Sequence, residues 1–304
     1  MRNRIIEQTS TGVRVFAPAK INLFLAITGK RDDGYHQLTS LMAKLALGDI
    51  LEVRRTGKES GIQLACPGYP ELENHQNLVF RAASKWFEAT GESWGVELSL
   101  KKQIPSMAGL GGGSSDAVST LLGLNELGDS QLSQTDLVQC SAEIGSDCPS
   151  FLMDGLCVAE GRGELVRSLA SSVYQSVVGQ KVLLFRPNIG FSTAEVYQNL
   201  AKHKKYSTDD WAKERINLWE HGELSTIELL HNDLEYPVFS KHLYYRVLFQ
   251  QIEKQFGLVP KMSGSGSTCF VLIPEGFDQI ALLKKLIFNS FGDDCWVKDT
   301  EIIL

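Results

Sequence analysis

The chain has 304 residues, of which 43% are hydrophobic and 22% are charged, and its formal net charge is −6 at pH 7. This composition is typical of a globular protein with a sizeable core, arranged as one large domain or two ordinary ones. The acidic balance disfavours binding to nucleic acid or anionic membranes through charge. No apolar run approaches the roughly 18 residues that suggest a membrane span, and the N-terminus lacks an apolar signal core.

The six cysteines are scattered along the chain without a C-x-x-C pair. Four of the six lie in apolar or strand-like surroundings, so we expect them to be small core residues. This use of cysteine predicts a reducing compartment, the cytoplasm.

The first part of the chain is predicted to form strands, because it is rich in branched and aromatic residues. The four predicted strands are 13–16, 21–27, 38–47 and 50–54. We expect a break at Pro18 within the first pair and a turn at Gly48 and Asp49 within the second. Lys20 and Asn22 occupy alternate positions, so on an extended chain both side chains lie on the same face.

The most distinctive stretch of the chain is 104–116, where four glycines in five residues are followed by two serines and an aspartate. Helical spacing predicts a helix over 77–89, and a strand over 96–100 and a helix over 117–127 flank the stretch. Glycine lets the backbone approach a ligand closely, and the free N–H groups at a helix start attract anions. The stretch therefore predicts an anion site, most often for phosphate.

The rest of the chain alternates between helices and strands. Predicted helices are 133–144, one that starts at the capping box 192–195, 243–256 and 277–291. Predicted strands are 156–159, 164–167, 181–186, 269–273 and 296–303. We expect a polar turn at 145–151, and loops with a short helix over 202–223. The second half is predicted to be an α+β sandwich, with the domain change near the serine-rich stretch 168–176 or just beyond it.

Three standard glycine-rich signatures are absent from the sequence. The P-loop pattern G-x-x-x-x-G-K-[ST] does not occur, and G-x-G-x-x-G fails because Ser114 stands where the last glycine is required. The protein-kinase motifs H-R-D and D-F-G are also missing. The glycine-rich stretch alone is also compatible with a flexible strand–helix turn, although the anion site is favoured.

Three motifs, in order, resemble those of the GHMP small-molecule kinases, named for galactokinase, homoserine kinase, mevalonate kinase and phosphomevalonate kinase. Two more, RDDGYH and NDLE, make the resemblance closer to one member of that family. The motifs are PAKINL at 18–23, RDDGYH at 31–36, LGGGSS at 110–115, NDLE at 232–235 and MSGSG at 262–266. The resemblance covers about residues 14 to 273, nearly the whole chain.

The resemblance implies a fold and an activity. It implies the α+β, two-domain GHMP kinase fold, with a domain like domain 2 of ribosomal protein S5 over 1–175 and a ferredoxin-like domain over 176–304. ATP, with Mg²⁺, would donate its γ-phosphoryl group to the 2-hydroxyl of 4-diphosphocytidyl-2-C-methyl-D-erythritol, in the non-mevalonate route to isoprenoid precursors. We expect a monomer or homodimer without a nucleic-acid or membrane partner.

The resemblance also implies catalytic and nucleotide-binding residues. It makes Asp147, in a Gly-x-Asp-x-Pro segment, the general base, and Lys20 the cation beside Asp147 and the γ-phosphate. From the residues alone, Asp147 could instead be a turn or helix cap and Lys20 a solvated surface charge. The implied ATP-binding residues are Pro105, Ser106, Met107, Ala108, Gly109, Leu110, Gly111, Gly112, Gly113, Ser114 and Ser115. No acidic residue is predicted as a Mg²⁺ ligand, so the metal is expected to be held mainly by the nucleotide.

The substrate-binding residues follow from the same motifs. Asn22 is expected to hydrogen-bond the substrate or to hold Lys20. Tyr35 would stack on the cytosine, and His36 would hydrogen-bond to it. Phe191 is either a second stacking ring or a hydrophobic staple of the following helix. The residues expected to line the substrate diphosphate or the catalytic cleft are Ser263, Gly264, Ser265 and Gly266.

Two other functions remain open on the sequence. A GHMP kinase for mevalonate or homoserine would keep the ATP loop but should lack the motif at 33–36. A non-catalytic binding module could share the fold of the N-terminal half, since fold does not imply function. The acidic charge and the joint presence of Lys20, the glycine-rich loop and Asp147 disfavour the binding module.

Overall fold

The computed structural model describes residues 4–57, 60–129 and 131–304. Within these ranges the strands are β1 (Ile5–Gln8), β2 (Gly12–Lys30), β3 (His36–Thr56), β4 (Ile62–Ala65), β5 (Gly95–Lys101), β6 (Cys157–Gly161), β7 (Leu165–Ser168), β8 (Lys181–Arg186), β9 (His231–Asn232), β10 (Pro260–Met262), β11 (Cys269–Ile273) and β12 (Trp296–Ile303). The α-helices are α1 (Leu78–Thr90), α2 (Gly112–Leu127), α3 (Gln134–Ile144), α4 (Ser171–Tyr174), α5 (Thr193–His203), α6 (Asp209–Glu220), α7 (Thr226–Leu229), α8 (Glu235–Lys241), α9 (Leu243–Phe256) and α10 (Ile280–Phe291). Residues Pro70–Leu72 and Cys148–Leu152 form 3₁₀ helices.

Two long antiparallel strands, β2 and β3, organise the N-terminal half. The predicted break at Pro18 and the predicted turn at Gly48 and Asp49 are both wrong, because each strand continues through its position. Pro18 lies opposite Gly48, and the register shifts between Pro18 and Lys20, so a bulge accommodates the proline. A Cβ at Gly48 would lie 2.4 Å from the ring of Phe16, so the glycine provides space rather than a turn.

The last strand, β12, connects the two halves of the sheet. The strands follow one hydrogen-bonded path in the order β1-β2-β3-β12-β8-β11-β10. β12 pairs with β8 over 296–301 and with β3 through Ile302 and Ile303. β5 and β6 also pair with β3, and the short β9 pairs with β2.

Large apolar clusters fill the space between the sheet and the helices. α1, α2 and α3 contribute to one cluster, and α5, α8, α9 and α10 to another. A further cluster joins Ile21 and Ala43 of the long strands to Val182 of β8 and Ile302 of β12. The two halves therefore share a core, and the domain boundary between residues 175 and 176 stays a prediction.

Most helices lie close to the positions that the sequence predicts. Asn77 caps α1, Gly91 ends it in the left-handed region, and Ser133 begins α3 with a capping box. The stretch 202–223 is an exception, because it contains a helix of 12 residues, α6, instead of mainly loops. Only Ala212, Ile216 and Trp219 of α6 are buried, so the sequence shows little of the apolar periodicity that would predict a helix.

No helix in the described ranges has both the length and the apolar character needed to span a membrane.

Candidate active site

A cavity of about 750 Å³ lies where the long strands, the glycine-rich stretch and the second half of the chain meet. Lys20 and Asn22 of β2 form part of its wall, together with the loop between β5 and α2. Asp147, Tyr197 of α5 and the turn between β10 and β11 also line it. The cavity therefore collects most of the residues that the sequence singles out.

The glycine-rich stretch forms a tight loop that leads directly into α2. Gly111 has a φ of 68° and caps α2, which begins at Gly112. The helix therefore starts five residues before the predicted start at 117. The left-handed conformation of Gly111 turns the chain into the helix before the two serines are reached. Gly112, Gly113 and Ser114 thus occupy the first turn, whose N–H groups have no acceptor within the helix and point towards its N-terminal end.

Two of the glycines are required by close contacts. A Cβ at Gly109 would lie 2.1 Å from the carbonyl oxygen of Ser263. A Cβ at Gly111 would lie 2.9 Å from the ring of Phe151 and 3.0 Å from the stem of Lys20. The loop is therefore packed against the catalytic candidates and the second glycine-rich turn at distances that a larger residue could not match.

Lys20 is a buried cation in the cavity wall, with 4% of the residue exposed. Its backbone N–H donates to the carbonyl of Leu110 at 2.9 Å, which fixes β2 to the glycine-rich loop. Its Nζ donates to Oδ1 of Asn22 at 2.7 Å and lies 3.6 Å from Oδ2 of Asp147. Asn22 in turn donates to Ser40 at 2.8 Å, so a hydrogen-bonded chain holds the ammonium group in place.

Asp147 lies between α3 and the 3₁₀ helix Cys148–Leu152. Among the described residues, its side chain makes no capping hydrogen bond to that helix, which argues against the simple cap role. The carboxylate is partly exposed to the cavity and faces the ammonium group of Lys20. The structure thus places a carboxylate and a cation side by side at the mouth of the glycine-rich loop.

The second glycine-rich turn, 263–267, packs against the first. Ser263 donates its hydroxyl to the carbonyl of Gly109 at 2.9 Å. Asn232, from the NDLE motif, donates to the carbonyls of Met262 and Gly264 at 2.7 and 2.9 Å. Through Asn232, the NDLE motif therefore shapes the turn from behind.

The aromatic residues fall into two groups. His36 packs on Tyr197, with ring centroids 5.0 Å apart, and burial lowers the pKa of His36, with the charge of Lys30 acting in the same direction. Phe191 borders the cavity, but its ring contacts are with His242 at 4.9 Å and Tyr245 at 6.0 Å. Tyr197 was not predicted as a site residue, because a tyrosine one turn into α5 belongs to no motif in the sequence.

Tyr197 also lies within electrostatic range of the catalytic candidates. Burial raises the pKa of its hydroxyl, and the negative charge of Asp147 acts in the same direction. Tyr197, which lines the cavity, therefore contacts His36 and lies near Asp147.

A buried charge triad supports the glycine-rich loop from below, and sequence reasoning missed it. Lys102 binds Asp49 and, at 2.7 Å, Asp116 in the first turns of α2. Asp49 also accepts the backbone N–H groups of Gln103 and Ile104, at the entry to the loop. Burial raises the pKa of Asp116 to about 8, with the charge of Lys102 lowering it and that of Asp49 raising it.

Arg4 is a second buried cation behind the loop. It donates to the carbonyl of Phe151 at 2.9 Å and to the hydroxyls of Ser119 at 2.6 Å and Ser115 at 3.3 Å. Burial lowers the pKa of Arg4 to about 10, against the charge of Asp116, which raises it. Arg4 therefore cross-links the start of α2 to the segment that follows Asp147.

A fixed metal centre is not formed by the part of the chain that the structure describes. No group of three or more His, Cys, Asp or Glu side chains in it could hold a metal ion. Asp147 and Asp116, the carboxylates that line the cavity, each face a lysine. Ser114, in the first turn of α2, adds a hydroxyl group to the cavity wall.

Comparisons with known proteins show which family the chain resembles over most of its length. Residues 77–155 match the family described as "GHMP kinases N terminal domain". The chain is 36% identical over 300 residues to 4-diphosphocytidyl-2-C-methyl-D-erythritol kinase of Methylacidiphilum infernorum (isolate V4), covering 97% of this chain and 98% of the relative. It is 38% identical over 277 residues to the kinase of the same name from Desulfitobacterium hafniense (strain Y51), covering 90% and 92%.

Solved structures share the fold. A crystal structure of 4-(cytidine 5'-diphospho)-2C-methyl-D-erythritol kinase matches with a TM-score of 0.74 and 31% identity, covering 95% of this chain and 99% of that one. Homoserine kinase from Cytophaga hutchinsonii matches with the same TM-score, 0.74, at 16% identity, covering 98% and 96%. This last likeness shows the fold alone.

The raised pKa of Asp116 predicts how stability depends on pH. Between about pH 4, where the unfolded carboxyl loses its proton, and about pH 8, the native carboxyl still holds one. The contribution of Asp116 to the free energy of unfolding is therefore fully present below about pH 4. It decreases by at most about 1.4 kcal/mol per pH unit and is lost when the pH reaches about 8. Asp116→Asn removes this dependence.

Urea unfolding of wild type and Asp116→Asn between pH 5 and 9 measures this pH dependence of the unfolding free energy. The difference in unfolding free energy, wild type minus variant, should fall with rising pH and level off above about pH 8. The exposed Asp278→Asn serves as the control and should show a difference that is constant with pH. A constant difference for Asp116→Asn as well would contradict the prediction.

Proposed function

Because this chain belongs to the 4-diphosphocytidyl-2-C-methyl-D-erythritol kinases, within the GHMP kinases, we propose that it phosphorylates the 2-hydroxyl of 4-diphosphocytidyl-2-C-methyl-D-erythritol with ATP. This is a step of the non-mevalonate route to isoprenoid precursors. The observation that supports it best is the Lys20–Asp147 pair, 3.6 Å apart at the mouth of the glycine-rich loop. A phosphate site, a cation and a base then share one cavity.

The glycine-rich loop, 105–115, is proposed to hold the triphosphate. Its N–H groups at the start of α2 would face the β- and γ-phosphates, where the helix dipole also favours negative charge. Mg²⁺ would enter with ATP as part of the substrate and would neutralise phosphate charge. The hydroxyl of Ser114 is the side-chain oxygen best placed to meet that complex.

Lys20 and Asp147 are proposed to act on the reacting groups. The 2-oxygen of the substrate forms a bond to the γ-phosphorus, the bond from that phosphorus to the β–γ bridging oxygen breaks, and ADP leaves with the electron pair. Asp147 accepts the hydroxyl proton, and Lys20 stabilises the charge on the transferred group. Asn22 positions Lys20 through its 2.7 Å hydrogen bond.

The cytidine is proposed to bind at the tip of the long hairpin, between Tyr35 and Tyr197. His36 would hydrogen-bond to the base. We favour Tyr197 over Phe191 as the second ring, because Tyr197 contacts His36 whereas the ring contacts of Phe191 are with His242 and Tyr245. The turn at 263–266 would then lie beside the diphosphate and the methylerythritol.

The domain architecture, the oligomeric state and the cellular compartment complete the proposal. We infer an N-terminal domain like domain 2 of ribosomal protein S5 and a ferredoxin-like C-terminal domain, meeting near residue 175. A monomer or homodimer is proposed, since the cavity is built from one chain. All six cysteines are buried and free, which supports a reducing compartment such as the cytoplasm.

A parallel assay tests the proposed substrate. ADP release would be measured with 4-diphosphocytidyl-2-C-methyl-D-erythritol, mevalonate and homoserine at equal concentrations. We expect turnover with the cytidine substrate and at most a trace with the other two, because mevalonate and homoserine have no cytidine for the motif at 33–36 to bind. Turnover of mevalonate or homoserine alone would assign the chain to another GHMP kinase, and no turnover of any would favour a binding module.

Replacing the buried cation tests the catalytic pair. Lys20→Met keeps the length and apolar stem of the side chain but removes the charge, so we expect kcat to fall by about 100-fold or more with little change in folding. The measurement is steady-state ADP release, combined with thermal unfolding followed by circular dichroism.

The exposed Lys298→Met is the matched control and should keep wild-type turnover. Asp147→Asn should lower kcat to a similar extent. The double variant should be little worse than either single one, since the two groups act as a unit. Near-normal turnover of Lys20→Met would overturn the assignment.

The two candidate rings can be separated by kinetics. Loss of a ring that stacks on a base costs about 1–3 kcal/mol, or roughly 5- to 150-fold in affinity. Tyr197→Ala should therefore raise KM for the cytidine substrate by at least about fivefold, with KM for ATP unchanged. Phe191→Ala should change that KM less. The opposite ranking would place Phe191, instead of Tyr197, against the base.

A further inference from the structure

Tyr35 is an exposed aromatic ring at the tip of the hairpin formed by β2 and β3, with 52% of the residue accessible. Its backbone is fixed, because its N–H donates to Oδ1 of Asp33 at 3.1 Å and Asp33 pairs with Arg31. These bonds leave the ring itself to be positioned by another contact. That contact is the guanidinium group of Arg162, whose Cζ lies 5.1 Å from the ring centroid.

Arg162 is itself held by a constrained turn between β6 and β7. Gly161 and Gly163, on either side of it, have φ values of 73° and 118°, so the turn uses conformations that favour glycine. The backbone N–H of Arg162 donates to Oε2 of Glu164 at 2.7 Å, and its Nε lies 4.0 Å from the same carboxylate. The guanidinium group is therefore presented from a defined backbone.

The same turn contacts the loop that bears the proposed general base. β6 pairs with β3 so that Gly161 lies opposite Leu38, close to the hairpin tip. A Cβ at Gly163 would lie 3.3 Å from the carbonyl oxygen of Ser146 and 3.6 Å from Oδ1 of Asp147. One short turn thus touches both the ring of Tyr35 and the segment that bears Asp147.

We propose that Arg162 is a positioning residue for recognition of the pyrimidine base, which acts by holding one face of the Tyr35 ring so that the base stacks on the other. This inference rests on the proposed function. A cation over one face of an aromatic ring is attracted by the ring quadrupole and restricts the ring at an exposed site. Arg162 thereby lowers the cost of ordering Tyr35 when substrate binds.

Steady-state kinetics test the inference, with Arg162→Met to remove the cation and Arg162→Lys to keep a charge without the planar group. Arg162→Met should raise KM for the cytidine substrate about two- to fivefold, as expected for an exposed cation–π contact, with kcat and KM for ATP unchanged. Arg162→Lys should recover part of the loss. Arg167→Met, in the same β-hairpin but paired with Glu220, is the matched control and should leave all three constants unchanged.

A double-mutant cycle shows whether Arg162 acts through Tyr35. In a Tyr35→Ala background, Arg162→Met should have no further effect on KM. If the two effects multiply, Arg162 acts independently of the ring, for example on the substrate diphosphate, and the inference is wrong. An unchanged KM for Arg162→Met in the wild-type background would also overturn it.

Direct binding separates base recognition from phosphate recognition. Calorimetric affinities of cytidine and of cytidine diphosphate should fall by the same factor in Arg162→Met, because the ring contacts only the base. A loss confined to the diphosphate would contradict the inference. Failure of the proposed function is recognised separately, since wild-type protein would then release no ADP with the cytidine substrate.

Discussion

The contact between the two glycine-rich turns is the constraint on which the rest of the site depends. Gly109 approaches the carbonyl of Ser263 so closely that a Cβ would lie 2.1 Å away, and the hydroxyl of Ser263 returns a hydrogen bond of 2.9 Å. The turns are far apart in sequence, so this contact joins the two halves of the chain at the phosphate site. Lys20 is bound to the same loop through Leu110, and therefore its ammonium group and Asp147 have a fixed relation to the start of α2.

The site is surrounded by buried cations, and each is compensated differently. Lys102 is paired with Asp49 and donates a hydrogen bond to Asp116. Lys20 shares Asn22 and Asp147, and Arg4 relies on carbonyl and hydroxyl acceptors. Burying charge costs stability unless the charge is well paired, and the lowered pKa of Arg4 expresses that cost. Of these cations, Lys20 and Lys102 line the cavity. Because their side chains are already buried and held in place, they would need little reorganisation to interact with a polyphosphate.

Local patterns in the sequence predicted much of the fold, whereas contacts between distant segments could not be read from them. Caps such as Asn77 and Ser133 are local signals, and the helices they begin were found. The bulge at Pro18 was mistaken for a break, because its tolerance depends on Gly48 across the ladder. At the site, motif resemblance singled out Lys20 and Asp147, but Arg4, Lys102 and Tyr197 were missed, since each gains its place only through packing against residues remote in sequence.

The choice of acceptor must reside in side chains rather than in the fold. Homoserine kinase from Cytophaga hutchinsonii shares the fold at 16% identity and a TM-score of 0.74, so the framework itself is compatible with another acceptor. In this chain the long hairpin bears Lys20 near the phosphate loop and Tyr35 and His36 at its tip. In the proposed function, this pair of strands relates the end that would react to the end that would recognise the base. Arg162 would then matter only to substrates that carry the base.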